Sequence, residues 1–269
     1  MDLTDRDRTI LHDIQDYGLL TSKLIASRHF PGVQITTVLR RLRMLEDSKY
    51  IQRIDGLENN STAWFMARVG AHELNGRAAK TSFPQNIVEH DLALMKLRLR
   101  LEECGIARAW IAEHVLRKKI AASHSYRSFR QVSVPDGLMG FESHRGNRLT
   151  YAIELEMTAK NQKRYRDIFK QYERRNCLHA YWYIVRKPTI GTQIAKASRQ
   201  GTYRYGNREP FLFWSLLEDV MGDPLNSVVH AHDWKGPLGD LIKSSEQSAH
   251  DPAQGMGIAK SNPEQVPTP

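Results

Sequence analysis

Cysteine is scarce in this chain, and long apolar runs are missing. Its 269 residues include only Cys104 and Cys177, which are too few and too far apart for a disulfide framework or a zinc site and favour a reducing compartment. No stretch approaches the roughly 20 apolar residues of a membrane span, and the charged start MDLTDRDRT lacks the apolar core of a signal peptide. We therefore expect a soluble, cytoplasmic protein.

Positive charge is in excess. The formal net charge is +9 and the isoelectric point is near 9.6, a balance that favours a polyanionic partner, with nucleic acid ahead of an acidic membrane surface. A chain of this length has room for two modest domains, each with its own core.

The N-terminal third has the pattern of three short helices followed by two strands. The helices are predicted from Thr4 to about Asp16, from Thr21 or Ser22, and from about Gln34 to Asp47. Apolar residues at helical spacing give the third helix an inner face, and its outer face is polar and basic. The outer residues are Gln34, Thr36, Thr37, Arg40, Arg41 and Arg43. Two strands around the polar tip 55–61 complete the pattern.

This N-terminal pattern resembles the winged-helix DNA-binding fold, with Thr36-Thr37-Val38-Leu39-Arg40-Arg41-Leu42 as the stretch that carries the likeness. The resemblance implies a DNA-binding domain over residues 1–76 whose third helix enters the major groove of double-stranded DNA. The alternative is a domain that contacts proteins, with arginines that are merely solvated.

A polar stretch at 77–84 predicts a linker, after which helices and strands alternate over 85–235. We read Arg117 to Arg130 as a basic loop and everything from Gly236 to Pro269 as a disordered tail. The predicted order is a helix over 85–104, a strand over 107–115, a hairpin over 131–158, a helix over 160–175, an uncharged strand over 178–185, a helix over 189–199, and strands over 210–216 and 226–230. This order favours a mixed sheet flanked by helices, an α+β or α/β domain.

Acidic residues mark the hairpin. A period of two places Glu154 and Glu156 side by side on one face of its second strand, and Asp136 lies on the first. Burying adjacent carboxylates is costly unless a cation offsets their charge, and hard oxygen ligands suit Mg²⁺ or Mn²⁺. Alternatively, Pro135-Asp136-Gly137 is ordinary turn sequence and the glutamates face solvent on an open sheet.

The hairpin resembles the PD-(D/E)xK nuclease superfamily, whose fold is that of restriction endonucleases. Pro135-Asp136 matches the first half-motif and Glu154-Leu155-Glu156 matches the second, with Glu156 where that superfamily most often has lysine. The resemblance implies that Asp136, Glu154 and Glu156 hold catalytic metal. Lys160 or Lys163, from the start of the next helix, is the candidate replacement for the missing lysine.

The whole arrangement resembles the plasmid replication-relaxation family, which includes the MOB-C class of mobilisation relaxases. The likeness extends over about residues 3 to 230 and is carried by the order of the winged helix, HDLA at 90–93, VPDG at 134–137 and IELEMT at 153–158. It implies a protein of a mobile element that binds double-stranded origin-of-transfer DNA and nicks one strand, with other mobilisation or coupling proteins open as partners.

Other chemistries are weighed against this one. Relaxases that hold metal with a histidine cluster beside a nucleophilic tyrosine are disfavoured, since His230-Ala231-His232 lies too near the tail. Tyr165 and Tyr172 are candidate nucleophiles, although their spacing predicts core packing. A non-catalytic DNA-binding accessory protein and a protein scaffold are the remaining alternatives.

Overall fold

The computed structural model describes residues 2–57, 61–74, 79–123, 133–142, 148–172, 178–199, 211–232 and 234–247. The chain divides into two compact units. The first consists of Met1–Lys96 with His114–Lys118, and the second of Leu97–Glu113 with Lys119–Pro269. The predicted linker at 77–84 therefore falls within the first unit, and its residues 77 and 78 lie outside the described residues.

The first unit consists of helices packed on a three-stranded sheet. Its elements are α1 Asp5–Tyr17, β1 Leu19–Thr21, α2 Ser22–His29, α3 Ile35–Asp47, β2 Ile51–Leu57, β3 Ser61–Met66 and α4 Arg68–Glu73. The strands are antiparallel in the order β1-β3-β2. A capping box between Thr4 and Asp7 begins α1, and Gly18, with φ of 82°, ends it. The three predicted helices and the strand pair are confirmed.

A long helix, α5 Gln85–Glu103, runs from the first unit into the second. The elements that follow are β4 Ala109–Ala112, α6 Glu113–Ser123, β5 Gly137–Glu142, β6 Arg148–Glu156, α7 Gln162–Tyr172, β7 Ala180–Val185, α8 Pro188–Arg199, β8 Phe211–Leu216, α9 Leu217–Gly222, β9 Val228–His230, β10 Lys235–Pro237 and α10 Leu238–Gln247.

The second unit is built on a seven-stranded mixed sheet in the order β10-β9-β8-β7-β6-β5-β4. The central strands β6, β7 and β8 run parallel, and the strands on either side pair antiparallel. All six residues of β7 are buried, as expected for an uncharged central strand. Helices flank the sheet, so the predicted mixed architecture is confirmed.

One face of this sheet forms a core with α7 and α8. Aromatic rings fill it, with Tyr165 and Phe169 of α7 packed against Tyr183 of β7. Ala152 of β6 belongs to the same cluster, which fixes the direction in which alternate residues of β6 point.

Three predictions about the chain from residue 117 onward are wrong. The segment read as a loop from Arg117 is helical up to Ser123, in a helix whose Leu116 is buried. The first hairpin strand begins at Gly137 rather than near residue 131. The tail is folded through β10 and α10, where Leu238 and Ile242 are buried at helical spacing.

The predicted hairpin turn at 144–147 and the tail beyond 247 lie outside the described residues. In the part of the chain that is described, no helix has the length and apolar character needed to cross a membrane.

Candidate functional site

Two glutamates lie next to each other at the end of β6. Glu154 and Glu156 are 6% and 3% exposed, and they point to the same side as Ala152, towards the core formed with α7 and α8. The alternative in which they face solvent on an open sheet is therefore wrong. Two carboxylates so shielded from water need neighbours that offset their charge.

Lys160 is one such neighbour. It lies in the short segment between β6 and α7, and its Nζ forms an ion pair with Oε1 of Glu156. Its backbone N–H donates to the hydroxyl of Tyr165 at 3.1 Å, which holds the segment against α7. Lys163 is exposed on the first turn of α7, and the described contacts do not join it to the acids. Of the two predicted lysines, the structure brings Lys160 to the carboxylates.

Asp136 reaches the same part of β6 from the start of β5. Its Oδ2 accepts a hydrogen bond from the backbone N–H of Leu155 at 2.7 Å, so its carboxylate binds the strand between the two glutamates. Gly137 pairs with Ile153, and a β-carbon there would overlap the ring of Trp110. The glycine is therefore required by close packing at the strand entry.

Tyr183 was not predicted as part of this site. It is the register partner of Glu154 on the adjacent parallel strand, and it is fully buried with a hydroxyl that has no hydrogen-bond partner among the described residues. Burial, and then the charges of Glu154 and Glu156, raise the pKa of Tyr183 well above its usual value. Tyr183 could have been identified only from the register between the two parallel strands, and the sequence alone does not give that register.

Tyr165 is a core residue. Its ring is stacked with that of Phe169, with centroids 6.4 Å apart, and burial raises the pKa of Tyr165 to about 12. Its phenol is therefore protonated at neutral pH, which is unfavourable for a nucleophile. The predicted core packing of Tyr165 is therefore confirmed. The side chain of Tyr172 is not among those that the structure describes.

The oxygen ligands of Glu154 and Glu156 are of the type that a hard cation prefers. Metal binding by Asp136, Glu154 and Glu156 together stays a prediction. No group of three or more His, Cys, Asp or Glu side chains in the described ranges is arranged to hold a metal ion. Mg²⁺, however, is commonly bound through one or two carboxylates together with substrate phosphates. The carboxylates of Glu154 and Glu156, on the same face of the sheet as Tyr183, are ligands of the type that this second kind of site uses.

The outer face of α3 is where the predicted DNA-binding residues lie. The exposed members are Gln34, Thr36, Thr37, Arg40 and Arg43. Two apolar residues at the start of this face, Val33 and Ile35, are 39% and 43% exposed. The surface thus combines hydrogen-bonding groups, positive charge and apolar contacts, the three means by which proteins read base edges and phosphates.

Arg41 differs from its neighbours on α3. Its Nε donates to Oδ1 of Asp7 at 2.9 Å, and its Nη2 binds the other carboxylate oxygen. Asp7 is 1% exposed and also accepts from Thr4. Burial alone would raise the pKa of Asp7, but the hydrogen bonds from Arg41 and Thr4 outweigh it, and the pKa is lowered. Arg41 therefore joins α1 to α3.

Comparison with known proteins identifies one family. A family model described as replication-relaxation matches residues 11–182, a range that runs from α1 into β7 and includes Asp136, Glu154, Glu156 and Lys160. Searches of curated proteins and of solved structures gave no match. Because the matched range is well over half of the chain, the protein belongs to the replication-relaxation family.

Proposed function

We propose that this protein is a relaxase-like mobilisation protein of a plasmid or integrative element. In this proposal it binds origin-of-transfer DNA and cleaves one strand at a phosphodiester bond, in the cytoplasm. Membership of the replication-relaxation family supports a role in replication or mobilisation, and the positive charge of the chain supports a nucleic-acid partner.

The observation that carries the nuclease proposal is the convergence at the end of β6. Glu154 and Glu156 are buried side by side, Lys160 binds Glu156, and Asp136 binds the backbone between them. In the PD-(D/E)xK pattern a lysine usually stands where this chain has Glu156. We propose that Lys160, four residues later, takes the place of that lysine. The pairing also explains how Glu156 is tolerated there, because a buried carboxylate needs a cation.

Glu154, with Asp136 and Glu156, would hold Mg²⁺ or Mn²⁺. A divalent cation at such a site stabilises negative charge on a phosphoryl oxygen and lowers the pKa of a bound water. Lys160 Nζ carries a positive charge beside these carboxylates, so it can orient the scissile phosphate or a water molecule through hydrogen bonds. The complete burial of Tyr165 in the core favours hydrolysis over attack by this tyrosine.

DNA recognition is assigned to the first unit as a winged helix. The exposed face of α3 would lie in the major groove, with Arg40 and Arg43 on phosphates or base edges and Gln34 near the base edges. We leave Arg41 out of this role because its guanidinium binds the buried carboxylate of Asp7 through two hydrogen bonds.

Magnesium-dependent nicking of supercoiled origin DNA tests the proposal. Glu154→Gln keeps the shape of the side chain and removes its charge, and Asp136→Asn does the same at the start of β5. We expect each to reduce nicking about 100-fold, since even the outer partners of metal ligands are typically worth about 10-fold to 100-fold in activity, while duplex binding stays near wild type. Denatured nicked product should migrate free of protein. Undiminished nicking by either variant contradicts the assignment.

A non-catalytic accessory protein is the second candidate. It is favoured by the engagement of Glu156 with Lys160 and by the lack of a three-residue metal group among the described side chains. Under this alternative the wild-type protein binds origin DNA in a salt-dependent manner but does not cleave it with Mg²⁺ or Mn²⁺. The nicking assay therefore separates the two candidates.

A further inference from the structure

Tyr183 carries a buried hydroxyl on the same face of the sheet as the carboxylate pair. Its residue is completely inaccessible to solvent, and its hydroxyl has no hydrogen-bond partner among the described residues. An unsatisfied buried hydroxyl costs about 1 to 3 kcal/mol, and phenylalanine would fill the same space without that cost. A tyrosine at this position is therefore unfavourable for folding alone, which suggests that the hydroxyl is used when a ligand is bound.

The position of the hydroxyl is fixed by strand pairing and by rings. Glu154 and Tyr183 are directly paired on the parallel strands β6 and β7, so their side chains leave the sheet on the same face. The ring of Tyr183 is held edge-on by Tyr165, with centroids 6.5 Å apart, and by Phe169, with centroids 5.9 Å apart. With its ring held from two sides, Tyr183 cannot move its hydroxyl without repacking the core.

The chemistry of these three side chains defines the ligand. The carboxylate oxygens of Glu154 and Glu156 are acceptors of hydrogen bonds and ligands of hard cations, whereas the phenol is a donor and is itself a poor cation ligand while protonated. Mg²⁺ and Mn²⁺ retain several waters when protein supplies few ligands. The waters of a hydrated divalent cation can therefore form hydrogen bonds with the phenol, and the positive charge of the cation is complementary to the charge of the two glutamates.

We propose that Tyr183 is a positioning residue of this acidic site, whose hydroxyl engages the hydration water of a divalent cation held at Glu154. This inference rests on the proposed function and deepens it. It adds a residue outside the acidic motif that contacts the waters of the cation rather than the cation itself. Outer partners of metal sites fix the orientation of the ligands and contribute about 10-fold to 100-fold in affinity.

Binding of Mn²⁺ to the full-length protein, measured by titration calorimetry in the absence of DNA, tests this role. We expect Tyr183→Phe to weaken Mn²⁺ affinity about 10-fold. Without metal, the variant should be at least as stable to heat as the wild type, since an unsatisfied donor has been removed. Tyr151→Phe is the matched control, because Tyr151 is also buried but lies on the opposite face of β6. Its affinity for Mn²⁺ should be that of the wild type.

The outcomes separate this inference from the proposed function. If Glu154→Gln loses Mn²⁺ binding while Tyr183→Phe binds as tightly as the wild type, Tyr183 has no positioning role and the cation site at Glu154 stands. If the wild type does not bind Mn²⁺, or Glu154→Gln binds it equally well, the cation site is wrong and the inference fails with it. A loss of heat stability in Tyr183→Phe with unchanged Mn²⁺ affinity would assign Tyr183 a purely structural role.

Discussion

Nearby arginines on one helix have different surroundings in this protein. Arg40 and Arg43 are exposed on the outer face of α3, whereas Arg41 binds the buried carboxylate of Asp7 through two hydrogen bonds. All three are basic residues of the same short segment, so helical periodicity alone placed Arg41 with the DNA-binding group. Its partner is 34 residues earlier in the chain, and such a pairing is visible only once the helices are packed.

Replacing Arg41 should therefore destabilise the fold. We expect Arg41→Ala to lower the free energy of unfolding by about 2 to 3 kcal/mol, because it leaves Asp7 buried without its cation. The pKa of Asp7 is lowered in the folded protein, so the stabilisation is present above about pH 4 and is lost as the pH falls through the folded value. Urea unfolding at pH 7 and pH 3 measures both effects. Arg40→Ala is the control, and equal midpoints for the two variants at pH 7 would contradict the assignment.

The pairing of β6 with β7 determines which side chains lie next to each other at the site. This pairing begins next to His179. The N–H of Thr150 donates to Nδ1 of His179 at 3.0 Å, and the N–H of His179 donates to the carbonyl of Thr150 at 2.9 Å. The parallel ladder that starts there brings Glu154 beside Tyr183. Since Nδ1 accepts a hydrogen bond, this pairing requires the neutral ring, and burial lowers the pKa of His179.

This strand junction should make stability depend on pH. A histidine whose pKa is lowered by folding is stabilising above its unfolded value of about 6.5, and the contribution is lost as the pH falls towards the folded value. His179→Asn keeps an acceptor and removes the titration. We expect it to flatten the fall in unfolding free energy between about pH 7.5 and pH 5, with a residual slope from His230, whose pKa is also lowered. An unaltered slope in His179→Asn would contradict the prediction.

Patterns within a single element were predictable, and pairings between distant elements were not. The uncharged run of β7 and the alternation of β6 correctly predicted a central strand and two glutamates on one face. Tyr183 escaped prediction because its importance depends on its register with Glu154. The short helix α6 was missed because only Leu116 is buried among its described side chains. One buried residue gives a weak apolar period.

At the scale of the whole molecule, the two compact units suggest a division of labour. The exposed basic face of α3 belongs to the first unit, and the buried acidic residues at the end of β6 belong to the second. If the first unit supplies affinity for DNA and the second supplies chemistry, substitutions in one should leave the other property intact. Exposed positive charge also occurs on α8 of the second unit, at Lys196 and Arg199, so net charge alone does not identify the DNA-binding surface.

Salt dependence distinguishes a specific surface from overall charge. The double substitutions Arg40→Ala with Arg43→Ala, and Lys196→Ala with Arg199→Ala, each remove two positive charges, so both lower the net charge from +9 to +7. A phosphate contact contributes about 0.9 to the slope of log affinity against log salt, so the α3 double variant should lose about 2 in slope if both arginines bind phosphates. Fluorescence anisotropy with labelled duplex DNA over a range of salt concentrations measures this slope. The α8 double variant and Glu154→Gln should keep the wild-type slope, because neither alters the face that we assign to the duplex. Equal losses of slope in the two double variants would mean that DNA responds to the charge of the whole chain, and the assignment of α3 would be wrong.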